Sequence, residues 1–450
     1  MKFTPHNEEE KKKMLEKIGI TSIDELFSHI PPTIRLKELL SLPPGATEVE
    51  VVKLLNEVKK KNKTTDDFIS FLGAGAYDHA IPTVISHITS RSEYYTAYTP
   101  YQAEVSQGTL QTIFEYQSLI CALFNMDISN ASMYDGAQSL AEACLMAVAI
   151  KKKNKILACS SINPLYLRVI ETYIEGTDIE LKILPTPEGK IDLDLLKKTI
   201  DTSFASVVVQ HPNLFGLLEP VKEIEQIAHN ADALFVVSVD PISLGILSPP
   251  GDYNADIAVG EGQSLGIPLS FGGPYLGIFT CKKDFVRFIP GRLVGKTVDL
   301  DGNPAYVLTL QTREQHIKRE RATSNICTNE ALCALAATIY LSLLGKEGLK
   351  EVATQSLIKA HYLLERIEQE TNFRRAFSGP FFKEFTLKGK DIKKLLTALR
   401  RKGILGGVPL GRFNRNWQDL LLIAVTEKRT KEELDLLVDC LKELPTLGSS

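Results

Sequence analysis

Between residues 136 and 281 the chain alternates short apolar runs with helix-length amphipathic stretches, and this rhythm constrains the fold more than any other feature. The runs are Lys155–Cys159, Glu180–Leu184, Ala205–Gln210, Ala233–Val239, Asp256–Val259 and Gly277–Cys281. Most are rich in Val, Ile or Leu, as strands buried on both faces are. Helical patterns lie between them, near 136–150, 164–175, 192–200 and 220–230. Parallel strands need a crossover connection, and helices of this length supply it. The expectation is a large α/β domain over 66–320 with a mostly parallel sheet covered on both sides. A smaller α+β domain over 321–450 follows. It opens at Thr328-Asn329-Glu330 with a helix that Gly345 is expected to stop, and has strands at Phe381–Leu387 and Leu420–Thr426. Residues 1–65 hold short helices around Pro31-Pro32 and Pro43-Pro44 with few apolar residues to bury, and read as an N-terminal arm.

Composition excludes several classes. At 450 residues, 44% apolar and 24% charged, the chain is long enough for well-buried cores and has neither a disordered nor a fibrous composition. Its 52 Lys+Arg nearly balance 55 Asp+Glu, so nothing in the charge calls for nucleic acid or an anionic membrane. The most apolar helical stretch, Leu332–Leu344, is shorter than the roughly 20 residues a bilayer requires, and reads as a buried helix. The first residues carry Glu8-Glu9-Glu10 and Lys11-Lys12-Lys13 and no apolar run of signal-peptide type. The seven cysteines are scattered and form no CxxC pair. The expectation is a cytoplasmic protein with mostly buried thiols and no metal site.

The chemistry begins at Phe235-Val236-Val237-Ser238-Val239-Asp240-Pro241, where an apolar strand delivers a carboxylate to the sheet edge at which open α/β folds bind ligands. In pyridoxal-phosphate enzymes of the aspartate aminotransferase fold (fold type I), such an Asp pairs with the ring nitrogen. The alternative is a strand-end Asp capping the turn before Pro241. That cofactor also requires a lysine, yet from Glu223 to Cys281 there is neither Lys nor Arg. The segment where the lysine belongs reads Gly260-Glu261-Gly262-Gln263-Ser264-Leu265-Gly266, and neither Gln263 nor Ser264 can form a Schiff base. Lys282 and Lys283, after the next strand, read as solvated turn residues. A helix start at Asp135-Gly136 offers free amides to a phosphate, but Asp135 stands at the N-cap, where its carboxylate would take those amides itself. His211, at another strand end, falls near the place of the cofactor ring. Asp240, His211, Asp135 and Gly136 are therefore candidates for a vestigial cofactor site.

Six motifs spread in order along the chain resemble the glycine decarboxylase P-protein family. They are Phe71–His79, Tyr95–Gly108, Asn130–Gly136, Gly260–Gly266, Arg313–Ile317 and Ala322–Thr328. The resemblance extends to the two-subunit form of that enzyme, in which the lysine-less subunit 1 (alpha) pairs with a subunit 2 (beta) that carries the lysine. It implies a fold type I architecture with pyridoxal phosphate on the partner and none held covalently here. It also implies the reaction, in which glycine is decarboxylated and its aminomethyl group passes to the lipoyl arm of the H-protein.

The tract from Glu93 to Gln107 is dense in Tyr, Thr and Gln, and Pro100 restricts Thr99 to extended geometry, which favours a presented loop. Tyr95, Tyr98, Tyr101 and Gln102 are candidates to line the partner's active-site mouth, with neutral hydrogen bonds for a carboxylate or a lipoyl arm. Packing at a subunit interface explains the same aromatics. His79 is a further mouth candidate or a hydrogen-bonded structural residue. Residues 281–321 hold nine Lys/Arg and five Asp/Glu, an excess that either docks an acidic carrier or lies on solvated faces. Two other functions stay open: a self-sufficient pyridoxal-phosphate aminotransferase or lyase using a lysine from elsewhere, and a purely structural scaffold. A Rossmann dehydrogenase fits poorly, since no GxGxxG follows an early strand.

Overall fold

The computed structural model describes residues 5–36, 38 and 40–443, so the outermost residues of the two expected terminal segments, 1–4 and 444–450, lie outside the described residues. By contacts the chain divides into 1–63 and 64–450. In the first unit, helices Glu8–Ile18 and Glu48–Lys59 each begin with a reciprocal capping box, Asn7 with Glu10 and Thr47 with Glu50. These two helices contain no buried residue. Local capping, not a core, defines them.

In the second unit the strands are β1 (Ile69–Ser70), β2 (Ile128–Ser129), β3 (Lys155–Cys159), β4 (Glu180–Leu184), β5 (Phe204–His211), β6 (Leu234–Val239), β7 (Ile257–Glu261) and β8 (Gly277–Cys281). A hairpin, β9 (Leu293–Val298) and β10 (Pro304–Thr309), follows. Then come β11 (Arg374–Arg375), β12 (Glu384–Lys388), β13 (Ile404–Leu405), β14 (Val408–Pro409) and β15 (Leu420–Ala424). The main sheet has seven strands in the order β2-β8-β7-β6-β5-β3-β4. β3 to β7 are parallel, and β8 runs antiparallel to β7. All six expected strands of the large domain are present.

Side chains alternate between two cores, as the pleat requires. Phe235, Val237 and Val239 of β6 face one core, with helices Gln107–Phe124 and Val221–Asn230. Leu234 and Val236 face the other, with helix Gly136–Lys151. The expected buried helix is Ala331–Glu370, and Gly345 breaks it without ending it, at φ 58° and ψ −166°. The helix resumes because Leu349 and Ala353 still pack on the large core, while Ala360, Leu363 and Ile367 reach the C-terminal core. Its opener is also different: Thr328 and Asn329 accept from Arg292 instead of capping the helix.

The C-terminal sheet, β11-β12-β15-β14, is antiparallel. Phe381–Lys383 lie ahead of β12, which begins three residues later than expected, and Phe381 forms a lone bridge to Leu217. β1 and the segment leading out of it are stitched to the C-terminal domain. β1 pairs with β13, the Ala424 N–H donates to the Phe71 carbonyl, and Asp78 holds Lys428 and Arg429 at 2.8 and 2.9 Å.

Candidate functional site

The register of the parallel strands sets His211, Val239 and Gly260 side by side, so Asp240 and Glu261 emerge together at the carboxyl edge of the sheet. Into that edge the C-terminal sheet delivers Lys383, whose side chain is 1% exposed. Its ammonium lies 2.6 Å from the Asp240 carboxylate, 2.9 Å from His79 Nε2 and 3.6 Å from the centre of the Tyr77 ring. A buried ammonium is tolerated only when paired and hydrogen-bonded, and an anion, a lone pair and a π face meet that need. His79 Nδ1 faces Glu427 at 2.5 Å. Burial and the neighbouring Lys383 lower the His79 pKa. The ring therefore stays neutral, accepting from Lys383 and donating to Glu427. Next to Lys383, the Glu384 carboxyl accepts from the Tyr77 hydroxyl and the Ala74 N–H, each at 2.8 Å, and burial pushes it up to about 7.

The phosphate end is closed in the same manner. Asp135 caps helix Gly136–Lys151, accepting from the Gln138 N–H at 2.8 Å. The Gly136 N–H donates to Glu261 at 2.9 Å, and Glu261 also accepts from Gln263 and Leu276. Burial pushes the Glu261 carboxyl up to about 8 against those donors. A Cβ at residue 136 would come within 2.8 Å of the Tyr166 hydroxyl and 2.9 Å of Glu261 Cβ, so only glycine fits between them. Gln263 is fully engaged, accepting from the Tyr77 N–H and donating to the Ile267 carbonyl.

The cavity left among Tyr77, Tyr166, Gln210, Asp240, Glu261 and Lys383 measures about 30 Å³, room for one water. Pyridoxal phosphate does not fit these residues. Lys383 is the lysine from outside the expected window that a self-sufficient enzyme would need, and it is wrongly placed for that role. It sits against the carboxylate that would face the ring nitrogen, para to the ring carbon bearing the aldehyde. Glu261 presents a carboxyl where the phosphate would need a donor.

A second cluster is open. Arg292, buried, donates to the Thr328 hydroxyl and the Cys327 carbonyl at 2.8 Å each, and lies 3.8 Å from Glu314. Its guanidinium stacks 5.5 Å from the Tyr101 ring, which meets His316 edge-on at 6.1 Å. Three of the motifs, 95–108, 313–317 and 322–328, converge here. Tyr95, which ends helix Ser92–Tyr95, and Tyr98 are 69% and 81% exposed, and Tyr98, Tyr101 and Gln102 stand exposed in the irregular run from there to the turn at Ala103–Val105.

Of the sequence-derived candidates, Tyr95, Tyr98, Tyr101 and Gln102 share one tract, whereas His79 is buried in the closed pocket and not at a mouth. Asp240, Asp135 and Gly136 lie at the closed pocket. His211 does not line it. The strand alternation turns its neighbour Gln210 inward, and His211 accepts from the Glu219 N–H, neutral because burial lowers its pKa to about 4. Lys282 is no free turn residue, since it pairs with buried Asp256 at 2.6 Å. Sequence reasoning missed Lys383, Glu384, Glu261 and Arg292. The one local signal was a Lys-Glu pair interrupting the apolar run Phe381–Leu387. Among the described residues, no group of His, Cys, Asp and Glu is arranged to hold a metal ion.

Residues 1–441 match the family described as Glycine cleavage system P-protein. The probable glycine dehydrogenase (decarboxylating) subunit 1 of Carboxydothermus hydrogenoformans is 55% identical over 441 residues, covering 98% of this chain and 99% of that one. Its counterpart from Moorella thermoacetica is 51% identical over 443 residues, with the same coverage. The crystal structure of glycine decarboxylase (P-protein) of the glycine cleavage system in inhibitor-bound form superposes with a TM-score of 0.90 at 43% identity, covering 98% of this chain and 100% of that chain. Sphingosine-1-phosphate lyase from Burkholderia pseudomallei, at TM-score 0.66 and 13% identity over 92% of this chain and 94% of that one, shares the fold alone. The fold is therefore the pyridoxal-phosphate fold type I architecture expected from the sequence. With a family match across nearly its whole length, the chain belongs to the glycine cleavage system P-protein family.

Proposed function

We propose that this chain is subunit 1 of a two-subunit glycine decarboxylase of the glycine cleavage system, the half that carries no cofactor of its own. Glycine is decarboxylated and its aminomethyl group transferred to the lipoyl arm of the H-protein only when subunit 2 is present. The pyridoxal phosphate that supplies the electron sink is held by that partner, and no step on the cofactor belongs to this chain. One observation carries the reading: Lys383 on Asp240 and Glu261 on the Gly136 amide already occupy the two points at which fold type I enzymes grip the cofactor.

What this chain adds is the exposed tyrosine tract. Arg292 fixes Tyr101 from behind, so Tyr95, Tyr98 and Gln102 project from a braced base. They line the mouth of the partner's site and offer neutral hydrogen bonds to substrate or carrier. The assembly works in the cytoplasm.

The test is reconstitution. This chain alone, given pyridoxal phosphate and lipoylated H-protein, is expected to release no carbon dioxide from glycine, and adding subunit 2 restores release. Activity of this chain alone would overturn the proposal. Full activity of subunit 2 alone would reduce this chain to a scaffold.

A further inference from the structure

We infer that Lys383 and Glu261 are built-in surrogates for the charged ends of a pyridoxal phosphate, and that the pocket they fill bolts the C-terminal sheet to the main sheet. In a fold type I enzyme the space at the carboxyl edge holds a ligand between two domains. Here that space is filled by a cation on Asp240 and a carboxyl on the Gly136 amide. The filling side chains come from opposite sides of the seam. Asp240 and Glu261 end strands of the main sheet, while Lys383, Glu384 and Glu427 flank or begin strands β12 and β15. Between them, Tyr77 bonds Gln263 on the main side and Glu384 on the other, while His79 bonds Lys383 and Glu427 of the C-terminal side. The Lys383–Asp240 ion pair crosses the seam directly, and Tyr77 links Gln263 on one side to Glu384 on the other, so parting the domains breaks a buried ion pair and a buried hydrogen-bond chain together. The chain is thus a rigid platform, fixed in one relation of its domains, behind the exposed tyrosine tract.

This role holds only for a chain that takes up no pyridoxal phosphate, as proposed above. Its readouts use the full chain without partner or substrate, so they stand apart from glycine turnover. Thermal unfolding is compared for the wild type, Lys383→Met, Asp240→Asn and the double variant. Lys383→Met is expected to lower the midpoint by several degrees, and the double variant to recover most of that loss, because the uncompensated carboxylate is then gone. An unchanged midpoint in Lys383→Met, or losses that simply add in the double variant, would overturn the inference. If Lys383→Met does not fold, hydrogen exchange on the wild type decides. The amides of Ala74, Ile242 and Val425 should open as one unit, and independent opening of the C-terminal sheet defeats the bolt. Treatment of the wild type with pyridoxal phosphate and borohydride should label exposed lysines and spare Lys383. A label on Lys383 would show a working lysine and end the surrogate role.

Discussion

The pocket at the end of β6 and the tyrosine face around Arg292 each gather family motifs around one buried cation that lies outside them. They differ in what surrounds it. Lys383 is enclosed by Asp240, His79 and the Tyr77 ring, and Gln263, Glu261 and Glu384 complete a network that leaves room for one water. Arg292 is ringed on its inner side by Thr328, Cys327 and Glu314, but its outer side ends in a stacked tyrosine and then solvent. Buried Arg292 Nε and Glu314 Oε1 have no hydrogen-bond partner there. A satisfied, mostly buried network serves stability and order; an exposed aromatic surface backed by a rigid cation suits recognition. The difference teaches that, within one fold, a buried cation can serve as internal structure at one place and as the backing of an exposed aromatic surface at another.

That contrast can be broken at four points, from the largest expected effect down. Asp240→Ala leaves the Lys383 ammonium buried without its counterion and is expected to cost about 3–5 kcal/mol of stability, read by urea unfolding. A cost below about 1 kcal/mol would mean that the pocket is not a structural network.

The second is a pH effect. Burial raises Glu384 from its ordinary 4.5 to about 7. A carboxyl whose folded pKa is raised favours the folded state fully below the unfolded value and loses that contribution as pH rises to the folded value. The stability advantage of Glu384→Gln over the wild type should therefore grow between pH 4.5 and about 7, by a few kcal/mol, and level off above it. A flat difference across that window would show that Glu384 titrates normally.

Third, Arg292→Lys keeps the charge but loses the planar fork that reaches Thr328 and Cys327 together. We expect about 1–3 kcal/mol of lost stability and weaker binding of subunit 2. Fourth, Tyr98→Ala should change the stability of the free chain by less than about 0.5 kcal/mol, since the side chain is 81% exposed. It should nonetheless lower glycine decarboxylation by the reconstituted pair. Unchanged turnover at saturating subunit 2 would remove the tyrosine tract from the site's mouth, and a large loss of stability would mean that the face is not free.

Much of the scaffold was legible because its causes are local. Val- and Ile-rich runs spaced by helices specify a parallel sheet, and Asp135 before Gly136 specifies a capped helix start, both as found. The hairpin β9–β10 was not recognised, since its sequence lacks clean alternation and its outer half is exposed. Gly345 misled because a glycine stop signal is local, whereas the continuation of the helix depends on two cores lying in line beyond it. His211 was read from its place at a strand end, but the strand pleat turns Gln210 inward instead; His79 is the hydrogen-bonded structural residue of its two readings, with partners that the C-terminal sheet supplies.

By itself, the sequence determined that no lysine is available between Glu223 and Cys281, and so that the chain lacks the residue a pyridoxal-phosphate enzyme of this fold needs at its usual place. That follows from composition alone, because no packing can make an amine from Gln263 or Ser264. Only the tertiary structure decided what replaces it. Lys383 and Asp240 lie far apart along the chain, next to strands of different sheets, and nothing local to either announces the other. They meet because a charge delivered to a dry sheet edge requires a counter-charge, and the fold brings one from the opposite domain.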